Sequence, residues 1–255
     1  MRTGIDAVLL RDLRGARRAA RQAVGCLLMA LVVSSVTASA EETWPSPRLP
    51  DGLATFGIGQ QMNVNGLPMR LRGFVSPLAP ADLLAALRTS LGTPLVEDTA
   101  GSAQVLGRAE GNYYFTVRVE GTPSGSRGSI AITDLGTASK NYSRHRDDTN
   151  RWLDRLPAGS TITSDLSSHE GGQVAQHLVF VNRQGALRNR DGLVALLKND
   201  GYRLEREVAA GGMTSAGTGT LYFSAPGKEA MAVIARSGNT TSVVLNTVAM
   251  GAAVK

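Results

Sequence analysis

The sequence predicts an α+β protein with two similar small domains, each made of one helix packed on an antiparallel sheet. Three observations support this class: a strand-like segment precedes each of two amphipathic helices, further alternating segments follow each helix, and the order β-α-β-β-β occurs in both halves. A repeated order of elements is typical of internal duplication. We therefore assign one α+β domain to residues 63–136 and a second to residues 174–250.

The first domain begins with a strand and a helix. The chain from Met69 to Val75 alternates apolar and charged side chains, which is typical of a half-buried strand. Pro80 suits the first helical turn, and Asp82 in the same turn interacts favourably with the helix dipole. A leucine face that ends before Gly92 completes the amphipathic pattern, with Leu83, Leu84, Leu87 and Leu91 as its members. Further strands are predicted at residues 95–96, 103–109, 113–120 and 129–135.

The second domain repeats this order. A short apolar run from Leu178 to Val181 predicts its first strand. Asp191 is the predicted N-cap of a helix that continues through Lys198 and ends at Gly201. Strands are then predicted at residues 202–208, 221–223, 231–236 and 241–248.

The segment between the domains, residues 137–173, is rich in Ser, Thr, Gly and Asn and predicts a polar linker. Within it, residues 149–156 predict a short helix with Trp152 on its apolar side. Outside the domains we predict an extended segment at residues 41–62 and a tail at residues 251–255. If the short helix docks on a domain, it holds the two halves in a fixed relation.

The amino terminus has the pattern of a secretory signal peptide over residues 1–40. A cationic tip precedes the uncharged apolar run 23–36, which is shorter than the roughly 20 residues that a membrane-spanning helix needs. Ala38 and Ala40 provide the small side chains of a cleavage site, so Glu41 is the predicted first residue of the mature protein. We expect a periplasmic or secreted protein without stable membrane insertion after leader removal, and a membrane anchor is the alternative if the run is retained.

The basic composition of the whole sequence comes from this leader. The chain has 27 Lys and Arg against 21 Asp and Glu, and the leader holds six arginines and two aspartates, which leaves 21 basic and 19 acidic residues. No mature segment clusters basic and aromatic side chains, so we expect no nucleic-acid partner. Cys26, the single cysteine, also lies in the leader, and the mature protein therefore has no thiol for a disulfide or a metal site.

No catalytic, metal-binding or cofactor-binding constellation is predicted. The three histidines, His145, His169 and His177, fall in or beside the predicted linker, where we expect solvated loops. His169 is followed by a glutamate but not by a second histidine at helical spacing, so the zinc-protease pattern is absent. A hydrolase that pairs residues from distant segments, such as His177 with Asp165, remains an alternative.

These observations favour a non-catalytic binding or accessory protein that contacts other proteins in an envelope assembly such as a secretion or pilus apparatus. Exposed sheet edges are suited to strand addition by a partner. The expected contact residues are Trp152, Tyr202 and His177. The alternative is a small ligand or glycan bound in a cleft between the two domains, which predicts a pocket lined by both halves.

Overall fold

Twelve antiparallel strands and three helices form an α+β fold in the residues that this computed structural model describes, 44–209 and 217–251. The α+β class predicted from the sequence is confirmed. The predicted signal peptide and its cleavage residues Ala38, Ala40 and Glu41 lie outside the described residues, as do residues 252–255 of the predicted tail.

Each half of the described chain has two strands, a helix and then four strands, and a further helix connects the halves. The strands are β1 Ala54–Val64, β2 Leu67–Ser76, β3 Val96–Ala100, β4 Ala103–Glu110, β5 Tyr113–Thr122, β6 Gly125–Asp134, β7 Thr161–Glu170, β8 Gln173–Asn182, β9 Arg203–Ala209, β10 Gly219–Ala225, β11 Lys228–Ser237 and β12 Thr240–Met250. The helices are α1 Pro80–Leu91, α2 Leu135–Leu153 and α3 Ala186–Asn199.

All twelve strands belong to one sheet, in the order β3-β4-β5-β6-β2-β1-β7-β8-β12-β11-β10-β9. The first six strands along the chain are adjacent to one another and form one half of this sheet, and the last six form the other half. The two sets meet where Met62–Val64 of β1 pairs with Leu166–Ser168 of β7. Backbone hydrogen bonds across this seam make the sheet continuous.

The two strands at the seam differ from the sequence prediction. β1 extends into the predicted extended segment 41–62, and β7 lies within the predicted linker 137–173. β1 has register shifts around Gly57 and Gly59 and so lacks a regular alternation. In β7 most side chains are polar, which is the composition of a loop. Of β7 only Ile162 packs against the second core, and the polar remainder of this strand explains why it lacks the usual apolar pattern.

Helix α1 forms where the sequence predicts it. Pro80 occupies its first turn, and the backbone N–H of Gly92 donates to the carbonyl of Arg88 at its end. The four predicted leucines are buried against the sheet. Each buried leucine contributes about 2 kcal/mol from removal of apolar surface from water. The sheet side of this core consists of Phe74, Leu106, Val117, Val119 and Ile130.

Helix α3 begins at Ala186, earlier than predicted, so the predicted cap Asp191 lies inside the helix and accepts from Arg190 instead. Its start is held by Asn189, which is fully buried and exchanges amide hydrogen bonds of 2.7 and 3.0 Å with Asn182 on β8. The sequence pattern missed this turn because it buries a polar amide where an apolar residue was expected. The apolar core beside it includes Phe180, Leu193, Leu197, Ile234 and Leu245.

Helix α2 has 19 residues and replaces the first part of the predicted linker, in which only residues 149–156 were predicted to be helical. Asp134 caps it by accepting a hydrogen bond of 2.8 Å from the backbone N–H of Thr137. The helix buries none of its residues completely, so it lacks the apolar periodicity by which helices are recognised. Trp152 near its end packs against the second core. No helix among the described residues is long and apolar enough to cross a membrane.

The three helices lie on the same face of the sheet, which we call the helix face. Directly paired residues of antiparallel strands point to one side, and neighbours along a strand point to opposite sides. Phe74 and Phe180 lie in the two cores under α1 and α3, and Asn63 and Ser167, paired across the seam, share that side with α2. The alternate residues form the other side, which no described helix covers and which we call the open face.

Candidate functional site

A row of uncharged side chains crosses the open face of the second half. Direct strand pairing brings together one residue from each of five adjacent strands. We call these residues the valine row: Val179 on β8, Val244 on β12, Val233 on β11, Thr220 on β10 and Val208 on β9. With strand spacings of about 4.8 Å, the row is about 19 Å long. No charged side chain interrupts it.

The valine row is bordered by exposed apolar side chains and by polar and charged ones. Val208 at one end of the row is 50% exposed, and Val248 and Met250, farther along β12, are 41% and 63% exposed. The Arg206 guanidinium lies 4.3 Å from the centre of the Tyr222 ring. An apolar centre with a polar rim is the usual anatomy of a protein–protein interface.

The matching row in the first half is different. The corresponding pairings bring together Gly73, Ser129, Arg118, Val105 and Asp98. Two of these five residues are charged, and Arg118 forms an ion pair of 2.5 Å with Glu120. The Phe56 ring lies over Gly73, where a Cβ would be 2.3 Å from the ring. In the first half, this surface is therefore partly covered by Phe56 and carries charged side chains. The corresponding row of the second half is uncharged.

The two edges of the sheet are short and charged. β3 has five residues and includes Glu97, which pairs with Arg88 of α1 at 2.7 Å. That interaction holds the pKa of Glu97 below its ordinary value. At the other edge, Arg203 pairs with Glu205 in β9. Charged side chains on edge strands oppose pairing with further strands, so the edges are less suited to strand addition than the sequence suggested.

A second candidate surface is a cleft of about 560 Å³ between α2 and the seam of the sheet. Asn63 and Gly66 line it from the first half, and residues of β7 and β8 line it from the second. The helix contributes the remaining wall, with Asn141, Arg144, His145, Asp148, Arg151 and Trp152, and Arg155 follows directly after it. The sequence alternative of a pocket lined by both halves, near Trp152, therefore has a counterpart in the structure.

The hairpin turn between β1 and β2 forms the floor of this cleft. Asn65 and Gly66 have positive φ angles of 50° and 82°, which indicate a type I′ turn. The Asn65 backbone N–H donates to the carbonyl of Asp165 at 2.7 Å, and the Asp165 N–H donates to Asn65 Oδ1 at 2.8 Å. A Cβ on Gly66 would lie 2.5 Å from the His145 ring, so this glycine permits α2 to lie against the turn.

The charges in the cleft are mostly positive, since three arginines face two aspartates. Asp148 pairs with Arg151, and Asp165 Oδ1 accepts from Gln176 Nε2 at 3.0 Å. Arg155 donates to both carboxylate oxygens of Asp200 at 2.6 Å. Arg144, in contrast, has no ion-pair partner among residues 44–209 and 217–251. Both acidic groups of the cleft are thus engaged, and one guanidinium is available.

The three predicted contact residues do not form one site. Trp152 lies in the cleft wall, and the Arg155 guanidinium lies 5.3 Å from its ring centre. His177 is on the open face, where its Nδ1 and Asn246 Oδ1 are hydrogen-bonded at 2.7 Å. Tyr202 packs against the second core with the Lys228 ammonium 4.5 Å from its ring centre. Burial and the nearby Asp200 carboxylate raise the pKa of Tyr202 above its ordinary value.

The histidines lie in regular structure, not in the loops that the sequence suggested. His145 belongs to α2 and His169 to β7, and both line the cleft. The alternative hydrolase pair is not assembled, because Asp165 pairs with Leu178 on the helix face and His177 points to the open face. Within the described residues, no group of three or more His, Cys, Asp or Glu side chains is placed to hold a metal ion.

The polar residues of α2 are the site residues that sequence reasoning missed. Arg144, Asp148 and Arg151 recur at spacings of four and three, which places them on one face of this helix, and Arg155 follows its end. This spacing is present in the sequence, but the segment lacks apolar periodicity and its composition therefore predicts a linker.

Comparison with known proteins gives no match: no family model fits the chain, and neither a curated protein nor a solved structure is significantly similar to it.

Proposed function

We propose that the chain is an exported, non-catalytic binding protein that contacts another protein in an envelope assembly such as a secretion or pilus apparatus. The observation that carries this proposal is the valine row, an uncharged strip across five strands on the open face. A solvent-facing strip of this kind is stabilised when a partner removes it from water.

The partner that fits the valine row is an amphipathic helix of another protein. The row is about 19 Å long, which is the length of a helix of about 13 residues. The absence of charge along the row favours an apolar helix stripe, and the oppositely charged Arg206 and Glu229 both lie on one side of the row, beside Tyr222 and Ser224. Rim charges affect the rate and orientation of association more than its affinity.

Site-specific crosslinking tests this proposal. A photoreactive amino acid at Val208 or Val248 places the probe on the open face, and the same residue at Tyr142 or Leu187 gives exposed control positions on the helices. We expect one heterologous adduct from the two open-face positions and none from the controls. The adduct partner is then purified and its binding measured with the isolated protein.

Adducts of equal intensity from all four positions would contradict the proposal, because they would indicate contact by diffusion alone. An adduct only with a second copy of the chain would replace the proposed partner with a homodimer.

Export is a separate part of the proposal and rests on the leader pattern of residues 1–40. Mass spectrometry of the protein recovered from the cell envelope or the medium is expected to give Glu41 as the first residue. Recovery of a protein that keeps residues 23–36 would favour a membrane-anchored form instead.

We propose further that the two halves are similar domains that arose by duplication. Corresponding residues are separated by the same number of positions: Gly66 and Gly172 in the first hairpins, Phe74 and Phe180 in the cores, and Leu87 and Leu193 in the helices. The two halves also have matching strand pairings, related about the seam between β1 and β7.

A second candidate function is the binding of a small ligand in the cleft beneath α2. The specific observation in its favour is the composition of the lining, which comes from both halves and from the connecting helix. Sites at the junction of two similar units are common for small ligands.

A further inference from the structure

We propose that the cleft beneath α2 selects an acidic saccharide, an inference that rests on the proposed ligand-binding function of this cleft. The side chains that line it divide into two chemical groups. Asn63, Asn141, Ser167 and Gln176 are neutral hydrogen-bonding residues suited to hydroxyl groups. Arg144 is a cation without an ion-pair partner among the described residues.

The anionic part of the ligand is assigned to the Arg144 end of the cleft. Arg151 and Arg155 also line the cleft but are paired with Asp148 and Asp200. Arg144 therefore offers its guanidinium to a ligand without first breaking an ion pair, and a guanidinium matches a carboxylate or a phosphate in geometry. His145 and His169 lie in the same lining and add ring nitrogens that can form hydrogen bonds.

The remaining lining favours a sugar ring as the carrier of the anion. Trp152 provides one aromatic wall, and the neutral amides and the hydroxyl lie between α2 and the sheet. An amide-rich surface beside an aromatic ring offers both hydrogen bonds and apolar contact, which a ring bearing several hydroxyl groups needs. The volume of about 560 Å³ is in the range of small-molecule sites.

The test is a titration of the purified protein with D-glucose, D-glucuronic acid and glucose 6-phosphate. These probes share one ring and differ at a single position, so the comparison isolates the contribution of the anion. Binding is followed by the indole N–H resonance of Trp152, which is distinguished from that of Trp44, the other tryptophan, by a Trp152→Phe variant. We expect an acidic probe to bind about tenfold more tightly than glucose, since hydrogen bonds to charged groups are stronger than neutral ones.

Two arginine variants provide a matched pair. Arg144→Ala is expected to remove the preference for the acidic probe, and Arg146→Ala, an exposed arginine of the same helix outside the cleft, is expected to keep it. Both variants change the net charge equally, so a difference between them reports the position of the guanidinium.

The outcomes separate the inference from the function on which it rests. Equal affinity for glucose and the acidic probes would overturn the acidic preference and leave the ligand site standing. No effect of any probe on the Trp152 resonance would overturn the saccharide-binding site itself. A preference for the phosphate over the carboxylate, or the reverse, identifies the anion. Either preference supports the inference if the Arg144→Ala variant no longer binds the acidic probe more tightly than glucose.

Discussion

The two halves of the sheet share one topology but differ on the open face. Val233 in the centre of the second half corresponds to Arg118 in the first, and Val179 corresponds to Gly73. On the helix face the halves are alike, since Phe74 and Phe180 are both fully buried. The comparison shows that the halves share their helix-face cores and differ in the side chains of the open face.

The largest effect is expected from the shared helix-face cores. Replacing Phe74 or Phe180 with alanine should lower the free energy of unfolding by about 3–5 kcal/mol in each case, because each leaves a cavity in a packed core. Urea unfolding followed by circular dichroism measures this loss. Because the sheet is continuous through β1 and β7, each variant is expected to unfold in a single transition.

Separate transitions for the two halves, with only one of them shifted in each variant, would contradict that cooperative sheet. Phe56→Ala is the control, because this phenylalanine is 54% exposed on the open face and its removal leaves the cores intact. We expect its effect on unfolding to be much smaller.

The second prediction places an arginine in the valine row, at the position that corresponds to Arg118 of the first half. Val233→Arg is expected to weaken binding of the crosslinked partner about a hundredfold, because the charge would be buried in an apolar interface. Stability should change by less than about 1 kcal/mol, since the side chain lies on the open face. Calorimetric titration of the purified partner measures the loss.

Arg118→Val is the reciprocal variant. It makes the first half resemble the second and is expected to leave partner binding unchanged. Wild-type affinity in Val233→Arg would exclude the valine row as the binding surface.

The parts of the fold that the sequence predicted are those with apolar periodicity. α1 and β5 follow their predicted bounds closely, because Leu87 and Val117 belong to regular patterns that a buried face requires. The strands β1 and β7 have no such pattern, since they line the polar cleft or the open face at the seam. Their pairing depends on contacts between residues about 100 positions apart, and local sequence does not encode such contacts.

The candidate surfaces were predictable only in part. The sequence predicts Trp152 on the apolar side of a helix, and its ring packs against the second core; a cleft lined by both halves is the alternative that the sequence left open. The valine row was not predictable, because Val179 and Val208 become the two ends of one row only through the order of five strands. A strand with alternating valines indicates two faces but does not tell which one is covered by a helix.

The third prediction concerns the equivalent glycines of the two seam hairpins. Gly172→Ala is expected to cost about 1 kcal/mol, since its φ is 74° and no atom lies within 4 Å of an added Cβ. Gly66→Ala has a φ of 82° and would also bring the Cβ within 2.5 Å of the His145 ring, so we expect about 2–3 kcal/mol. Chemical unfolding of both variants gives the difference.

The double variant Gly66→Ala with His145→Ala identifies the cause of that difference. If contact with α2 is responsible, removing the ring should restore most of the extra loss, as a double-mutant cycle measures. Equal losses for Gly66→Ala and Gly172→Ala would mean that α2 does not rest on the first hairpin.

The smallest effect distinguishes the ends of the two core helices. Tyr202 follows the end of α3 and packs against the second core. Leu95 follows the end of α1 and packs against the first core. The pKa of Tyr202 is raised above its ordinary value of 10.0, first by burial and then by Asp200. Its contribution to stability is therefore fully present below pH 10 and decreases as the pH rises through the folded-state pKa, because the unfolded chain loses the phenolic proton first.

Thermal unfolding between pH 9 and pH 11 tests this difference, with both values chosen to bracket the ordinary tyrosine pKa. The decrease in Tm over this interval should be smaller in Tyr202→Phe than in the wild type, because the variant has no proton to lose at this position. Tyr142→Phe, which removes a phenol that is 66% exposed on α2, should keep the wild-type decrease. An equal decrease in Tm for Tyr202→Phe and the wild type would contradict this prediction. The loss of stability at alkaline pH would then not come from Tyr202 at the end of α3.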